Sequence, residues 1–164
     1  MKVLLSRRCS LLLCAALLSG CAHVSSRLPR AEGTPFWSGR LALQVEGSSA
    51  QSFSAGFELK GSTQSGELNL FNPLGGTVAR MAWQPGNATL FARGETRQFD
   101  SLAALVEQAT GAPLPVAALF DWLRGDNTAI PGWQADLSHL DDGRLSAVRS
   151  QPQPTATLRV VIDQ

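Results

Sequence analysis

The sequence predicts a mainly β protein: a single curved antiparallel sheet with two short amphipathic helices on its apolar face. Three observations carry this. From Phe36 onward, apolar and polar residues alternate with period two in one segment after another, the pattern of strands with one buried face. Turn residues join these segments at spacings too short for anything but antiparallel neighbours. The alternation breaks once, between Asp100 and Gly125, where apolar residues recur at helical spacing.

The elements follow in order. Gly39, Leu41, Leu43 and Val45 point one way, and Arg40, Gln44 and Glu46 the other. After the Gly47-Ser48-Ser49 turn, Phe53, Ala55, Phe57 and Leu59 alternate with Ser52, Ser54, Glu58 and Lys60. Further strands are expected over Glu67–Phe71, Thr77–Gln84, Asn87–Arg93 and Thr96–Phe99. Gly61-Ser62, Asn72-Pro73-Leu74-Gly75-Gly76, Gln84-Pro85-Gly86 and Gly94-Glu95 separate them, so this half reads as a meander. Asp100 or Ser101 caps a first helix with Leu102, Leu105, Val106 and Ala109 on one face, ending at Gly111. Pro115 suits the first position of a second helix, whose apolar stripe is Val116, Leu119, Phe120 and Leu123, flanked by Trp122 and stopped by Gly125. Residues 126–132 form a loop. Strands resume at Trp133–Ser138 and Arg144–Arg149, joined through Asp141-Asp142-Gly143, and end with Thr155–Asp163. Gln151-Pro152-Gln153-Pro154 is a rigid connector.

A sheet with one apolar face must cover it. Two short helices cannot fill the hollow of so many strands, which leaves two outcomes. Either the sheet closes tightly on its own side chains, or a hydrophobic cavity remains beneath a helical lid. Periodicity does not choose between them.

The amino-terminal segment has a different character. Lys2, Arg7 and Arg8 precede an apolar run from Leu11 to Leu18, then small residues, as in a secretory signal peptide. The run is roughly half of the ~20 residues that span a bilayer. Leu18-Ser19-Gly20-Cys21 resembles the bacterial lipobox, which implies acylation of Cys21 and loss of residues 1–20. Three acyl chains would hold the protein permanently, since each buried methylene adds about 0.8 kcal/mol. Ala22, where an aspartate would resemble an inner-membrane retention signal, implies the outer membrane. Arg7-Arg8 leaves general secretory and twin-arginine export both open. Residues 21–35 read as a polar tether, which as a flexible coil extends roughly 20 Å, and residues 36–164 as one domain.

Composition argues against catalysis and against nucleic acid. Without Lys2, Arg7 and Arg8, 11 basic residues stand against 13 acidic ones, a solvated surface rather than a basic footprint. Cys9 and Cys14 leave with the signal, so no disulfide is expected. His139 is the only histidine of the domain and lies beside Asp141 and Asp142 in a turn. Neither a Gly-x-Ser-x-Gly elbow, a metal-ligand cluster nor a phosphate-binding glycine loop is present in the sequence. The chain reads as a non-enzyme without metal or cofactor.

An ordered set of motifs then stands out: Trp37-Ser38-Gly39-Arg40-Leu41-Ala42, Asn72-Pro73-Leu74-Gly75, Gln84-Pro85-Gly86, Thr110-Gly111-x-Pro113-x-Pro115, Trp122-Leu123-Arg124-Gly125, Gly132-Trp133 and Leu158-Arg159-Val160-Val161-Ile162-Asp163. With the lipobox, this set resembles the LolB family, outer-membrane receptors of lipoprotein sorting, from Phe36 to Asp163. The resemblance implies an unclosed (half) β-barrel with a helical lid over a hydrophobic cavity. It implies a protein on the periplasmic face that accepts acylated lipoproteins from the carrier LolA and releases them into the outer membrane. No nucleotide or metal is used at that step, and a monomer is expected. It also implies a projecting loop that helps place cargo in the membrane: Asn72, Pro73, Leu74 and Gly75, with Leu74 at the tip. Two departures from longer members are visible: no amphipathic pattern in Ala22–Pro35, and a shorter segment between the helices and Gly132-Trp133.

The candidates for lining an acyl-binding cavity are Leu41, Leu43, Phe53, Phe57, Leu68 and Leu70 on strands, with Leu105, Leu119, Phe120 and Leu123 on helices. Two rivals compete with this function. An outer-membrane scaffolding lipoprotein would have a packed core instead of a cavity. A lipid hydrolase would need His139 beside a serine and an acid in a cleft.

Overall fold

A computed structural model describes residues 33–47, 51–110 and 115–164. Cys21, the signal segment, most of the tether and Gly111 lie outside the described residues. Among the described residues nine strands form one sheet: β1 Phe36–Val45, β2 Gln51–Gly61, β3 Gly66–Phe71, β4 Thr77–Gln84, β5 Asn87–Ala92, β6 Glu95–Phe99, β7 Trp133–Asp136, β8 Arg144–Arg149 and β9 Ala156–Ile162. Two helices, α1 Leu102–Thr110 and α2 Val116–Arg124, lie between β6 and β7 in sequence. The sheet order is β6-β5-β4-β3-β2-β1-β9-β8-β7, antiparallel throughout, with β6 and β7 left as edges. The sheet is not closed into a barrel.

The meander expected for the first half is present, and among the described strands the one non-sequential pairing is β1 with β9. Gly39 explains how β1 serves both neighbours. Its φ is +154°, and a Cβ there would stand 2.0 Å from the carbonyl oxygen of Val161. Only glycine permits β9 to approach that closely.

Laid flat, nine strands would span about 38 Å at ~4.8 Å per strand, whereas two helices side by side cover only about 20 Å. Yet one hydrophobic core takes in buried residues of β2, β3, β4, β5, β8, β9 and both helices, with Trp37, Phe99 and Ala135 of β1, β6 and β7 packed against it. The sheet therefore curls around the helices. The polar edge strand β6, with Glu95, Thr96, Arg97 and Gln98 exposed, discourages pairing with another sheet.

Several boundaries differ from the sequence expectation, each for a local reason. β5 stops at Ala92 because Arg93 (φ +56°) and Gly94 (φ +81°) form a two-residue turn with both φ positive, which starts β6 at Glu95. β7 stops at Asp136 instead of Ser138, because the Asp136 carboxylate accepts hydrogen bonds from the Ser138 amide (3.0 Å) and hydroxyl (2.6 Å). This side-chain turn competes with the ladder. Ser101 caps α1, its Oγ accepting from the Ala104 amide at 3.2 Å. Ala109, expected on the apolar face of α1, is exposed; Leu105 and Val106 carry the burial where α1 rests on β5 and β6. Pro115 is not the first helical residue but the cap before it, with ψ +74° outside the helical range and its carbonyl accepting from Leu119. Trp122, expected to flank the stripe of α2, is buried together with Ala118, Phe120 and Leu123, whereas Val116 and Leu119 are only half-buried. The buried face of α2 is thus rotated from the expected stripe, and two large aromatic side chains point inward.

Candidate functional site

The inner face of the sheet is built by alternation and fixed by register. Leu43 pairs with Phe53 and Leu158, Leu41 with Ala55 and Val160, and Phe57 with Leu70. Leu59, Leu68, Met81 and Leu90 then form an unbroken row across β2 to β5. Directly opposed residues share a face, so this apolar surface is continuous across the sheet.

The ten cavity candidates do not all fall together. Phe57, Leu70, Leu105, Phe120 and Leu123 are buried in the main core, and Leu41, Leu68 and Leu119 pack against it. Leu43 joins a separate small cluster with Val45 and Ala156. Phe53, beside Leu43 on the same face, is 40% exposed.

Beneath α2 the space is occupied by aromatic rings. Phe120 has no exposed surface; its ring meets Trp37 at 5.8 Å and Trp83 at 6.1 Å between centroids, both edge-on. Trp83 is held by donation from its indole nitrogen to the Ser62 carbonyl at 3.0 Å. On the other side of α2, Trp122 packs against Trp133 at 6.3 Å and donates to the Thr128 carbonyl. The end of α2 is fastened through Asp121, which accepts from the Thr128 hydroxyl at 2.8 Å and pairs with Arg124.

Arg149 had no place among the expected core residues, yet it is 1% exposed on the inner face. Its guanidinium donates to the Pro154 carbonyl at 2.9 Å and lies 5.8 Å from the centre of the Trp133 ring. Period two after Leu145 and Ala147 points it inward, although charged side chains are seldom fully buried.

Two cavities have volumes of about 600 and 190 Å³. The larger lies along β7 and β8 and is lined by Asn127, Gln134, Asp136, Ser138, Ser146 and Val148 among others. The smaller has His139, Arg144, Arg159 and Val161 in its wall. Neither is lined by any of the ten candidates, and both are partly polar. The His139 side chain is 66% exposed on its turn, with Nδ1 3.5 Å from the Asp142 carboxylate, so it does not sit in a closed cleft.

The turn between β3 and β4 is sharply defined. The Asn72 carbonyl accepts from the Gly75 amide, and the Asn72 amide donates to the Gly76 carbonyl, both at 2.9 Å. Its side-chain Oδ1 accepts from the amides of Leu74 and Gly76, again at 2.9 Å. Pro73 fixes φ at the position where a tight turn requires it, and Gly75 takes φ +83°. Leu74, at the apex, is 95% exposed. Nearby, the register slips between Leu70 and Phe71 so that Val78 is the extra residue of a bulge, itself exposed.

A family model described as Outer membrane lipoprotein LolB matches residues 36–159. The outer-membrane lipoprotein LolB of Bordetella petrii is 39% identical, over 91% of this chain and 88% of its own length. That of Chromobacterium violaceum is 37% identical over 73% and 68%. That of Bordetella pertussis is 35% identical over 94% and 91%. The family match begins at the first residue of β1 and runs into β9 as far as Arg159, taking in β1 to β8, both helices and the Leu74 turn. The chain belongs to the LolB family.

Proposed function

We propose that this protein is a lipid-anchored receptor on the periplasmic face of the outer membrane, which accepts acylated lipoproteins from the carrier LolA and inserts them into that membrane. Membership of the LolB family carries the general role in lipoprotein localisation and the outer-membrane location. The finer reading rests above all on one juxtaposition: a continuous apolar face under two helices, and an almost fully exposed leucine at the end of the same sheet.

The chemistry is that of transfer between apolar surfaces. Acyl chains cannot cross water unprotected, so a carrier must present them to another apolar hollow. A receptor that binds more tightly than the carrier, and a membrane that holds the chains more tightly still, make the sequence downhill without nucleotide or metal. The anchor assigned to Cys21 would keep the domain beside its target, and residues 21–35 would act as the tether. The inner face would take the acyl chains once α1 and α2 yield, with Phe57, Leu68, Leu70, Phe120 and Leu123 as the central candidates. Leu74 would enter the acyl region of the bilayer during release. The protein acts as a monomer and makes no bond in its cargo; the exposed position of His139 disfavours the hydrolase reading.

The scaffolding alternative has one observation in its favour, the ring of Phe120 packed between Trp37 and Trp83 where an acyl chain would lie. A fluorescent fatty acyl probe separates the two, since a permanently packed core leaves it unbound.

The experiment that tests the receptor reading is transfer of a purified lipoprotein from LolA to this protein and onward to vesicles, in buffer without detergent. Leu74→Glu should fold with almost unchanged stability, because exposed substitutions usually stay within about 0.5 kcal/mol. It should still accept cargo and fail to deliver it. Unfolding of the variant, or normal delivery by it, removes the insertion role from Leu74. Failure of the parent protein to take cargo from LolA sinks the receptor reading.

A further inference from the structure

We propose that Asn72 is the positioning residue for membrane delivery: its side-chain carbonyl oxygen holds the Leu74 turn upright, so that the leucine is presented to the bilayer instead of folding onto the sheet. The inference rests on the reading of Leu74 as the inserting residue.

Four hydrogen bonds converge on Asn72, all of 2.9 Å. Two use its backbone, with the Gly75 amide and the Gly76 carbonyl, and would close the turn whatever side chain stood there. The other two end on Oδ1, from the amides of Leu74 and Gly76. These fix the plane of the peptide entering Leu74 and therefore the direction of its Cα–Cβ bond.

The need for such a device follows from the hydrophobic effect. A leucine standing 95% exposed loses free energy relative to any conformation that buries it. Apolar surface is close at hand at the base of the turn, where Phe71 is half-buried and Val78 is exposed. A turn closed only through its backbone could tilt and lay Leu74 against them. The Oδ1 bonds oppose that tilt. The turn residues from Asn72 to Gly76 are all exposed, so their amides could be satisfied by water. The bonds to Oδ1 thus serve orientation more than the hiding of polar groups. Gly76 completes the arrangement: a Cβ there would stand 3.0 Å from Asn72 Nδ2, so the amide packs flat where any other residue would press on it.

The test uses the full acylated chain and four proteins: parent, Asn72→Ala, Asn72→Asp and Leu74→Glu. Melting temperature, acceptance of lipoprotein from LolA, and delivery to phosphatidylcholine vesicles are measured for each. Zwitterionic vesicles are chosen so that the new charge of Asn72→Asp meets no anionic surface. Asn72→Ala should melt and accept cargo like the parent while delivering about tenfold more slowly, as two orienting hydrogen bonds are lost. Asn72→Asp keeps an acceptor at the same place and should deliver within about twofold of the parent. Amide exchange at Leu74 and Gly76 should quicken in Asn72→Ala and stay slow in Asn72→Asp.

Delivery by Asn72→Ala at the parental rate, failure of Asn72→Asp alongside it, or a large fall in melting temperature would each overturn the positioning role. Leu74→Glu separates this from the wider reading. If Leu74→Glu also delivers normally, the insertion role itself is wrong; if Leu74→Glu is blocked while Asn72→Ala is not, only the positioning role falls.

Discussion

Phe120→Ala probes the centre of the fold and of the candidate site together. Phe120 has no exposed surface, so the substitution forfeits the whole transfer term and leaves a void walled by Trp37 and Trp83. Truncations of buried phenylalanine cost about 3–5 kcal/mol. The two edge-on ring contacts each add about 0.5–1.5 kcal/mol beyond area. Because measured truncation losses already include contacts of this kind, the two are not summed, and the expected loss is about 4–5 kcal/mol, at the top of the usual range. A domain of ordinary stability, about 5–15 kcal/mol, would remain folded but with much less margin. Urea unfolding monitored by tryptophan fluorescence measures the loss, and Trp37 and Trp83 should themselves report it. A fluorescent acyl probe supplies the functional half. If the inner face is the acyl site and Phe120 occupies it in the unloaded protein, the folded variant should bind the probe more tightly than the parent. A loss below about 1 kcal/mol would mean that Phe120 is not a buried wedge between Trp37 and Trp83. Weaker probe binding by a folded variant would show that Phe120 only lines the site and does not also fill it in the unloaded protein.

Other consequences can be checked independently. Cys21→Ala should release the protein from membranes without unfolding it, and a chain starting at Thr34 should melt like the parent and still take cargo from LolA; an inert or insoluble truncation would give the anchor a structural role. Leu43→Glu places a carboxylate where only 5% of the residue meets solvent, at a cost of several kcal/mol, and should abolish acyl-probe binding. Retained binding by a folded Leu43→Glu protein would put the Leu43–Val45–Ala156 end of the face outside the acyl site. The Asp136 carboxyl should titrate below its ordinary 3.8, chiefly because the Ser138 hydroxyl and then the Ser138 amide bond to its charged form. Its small contribution to stability is therefore complete above that ordinary value and is lost as the pH falls through the lower folded one. Ser138→Ala should move the titration, followed by carbonyl NMR, upward; an unmoved titration would deny the hydrogen bond its role.

Much of the fold was legible because period-two alternation encodes the face and the turn encodes the neighbour. Gly39, Leu41, Leu43 and Val45 needed no partner in view to be assigned inward. The β5–β6 boundary was misplaced by one residue because Arg93, not the glycine alone, takes a positive φ in the turn. Such a conformation is uncommon enough outside glycine that propensity argues against it. The pairing of β1 with β9 is a different kind of problem. Every strand offers the same backbone donors and acceptors, so nothing local tells β1 which distant strand takes its free edge. Gly39 was a partial signal, since a glycine inside a strand marks a close backbone approach, but it does not name the strand that approaches.

The candidate site divides along the same line. The Leu74 turn is readable because each residue in it is there for a backbone reason: Pro73 for a fixed φ, Gly75 for a left-handed one, Asn72 for its side-chain acceptor. Local chemistry decides its shape, and the exposure of Leu74 follows. The inner face is not readable in that way. Leu41, Leu43, Phe53 and Phe57 are equally apolar and share one face, yet they range from buried in the core to 40% exposed. What separates them is where α2 lies and how far Phe120 and Trp122 reach down from it. The buried face of α2 is rotated from the expected stripe because Trp122 turns inward, its indole nitrogen satisfied by Thr128 from a loop with no regular pattern. A residue on an apolar face becomes core or cavity wall only when something else does or does not fill the space above it. In this family's proposed work that something is movable, so the same leucine can be core in the unloaded protein and wall in the loaded one.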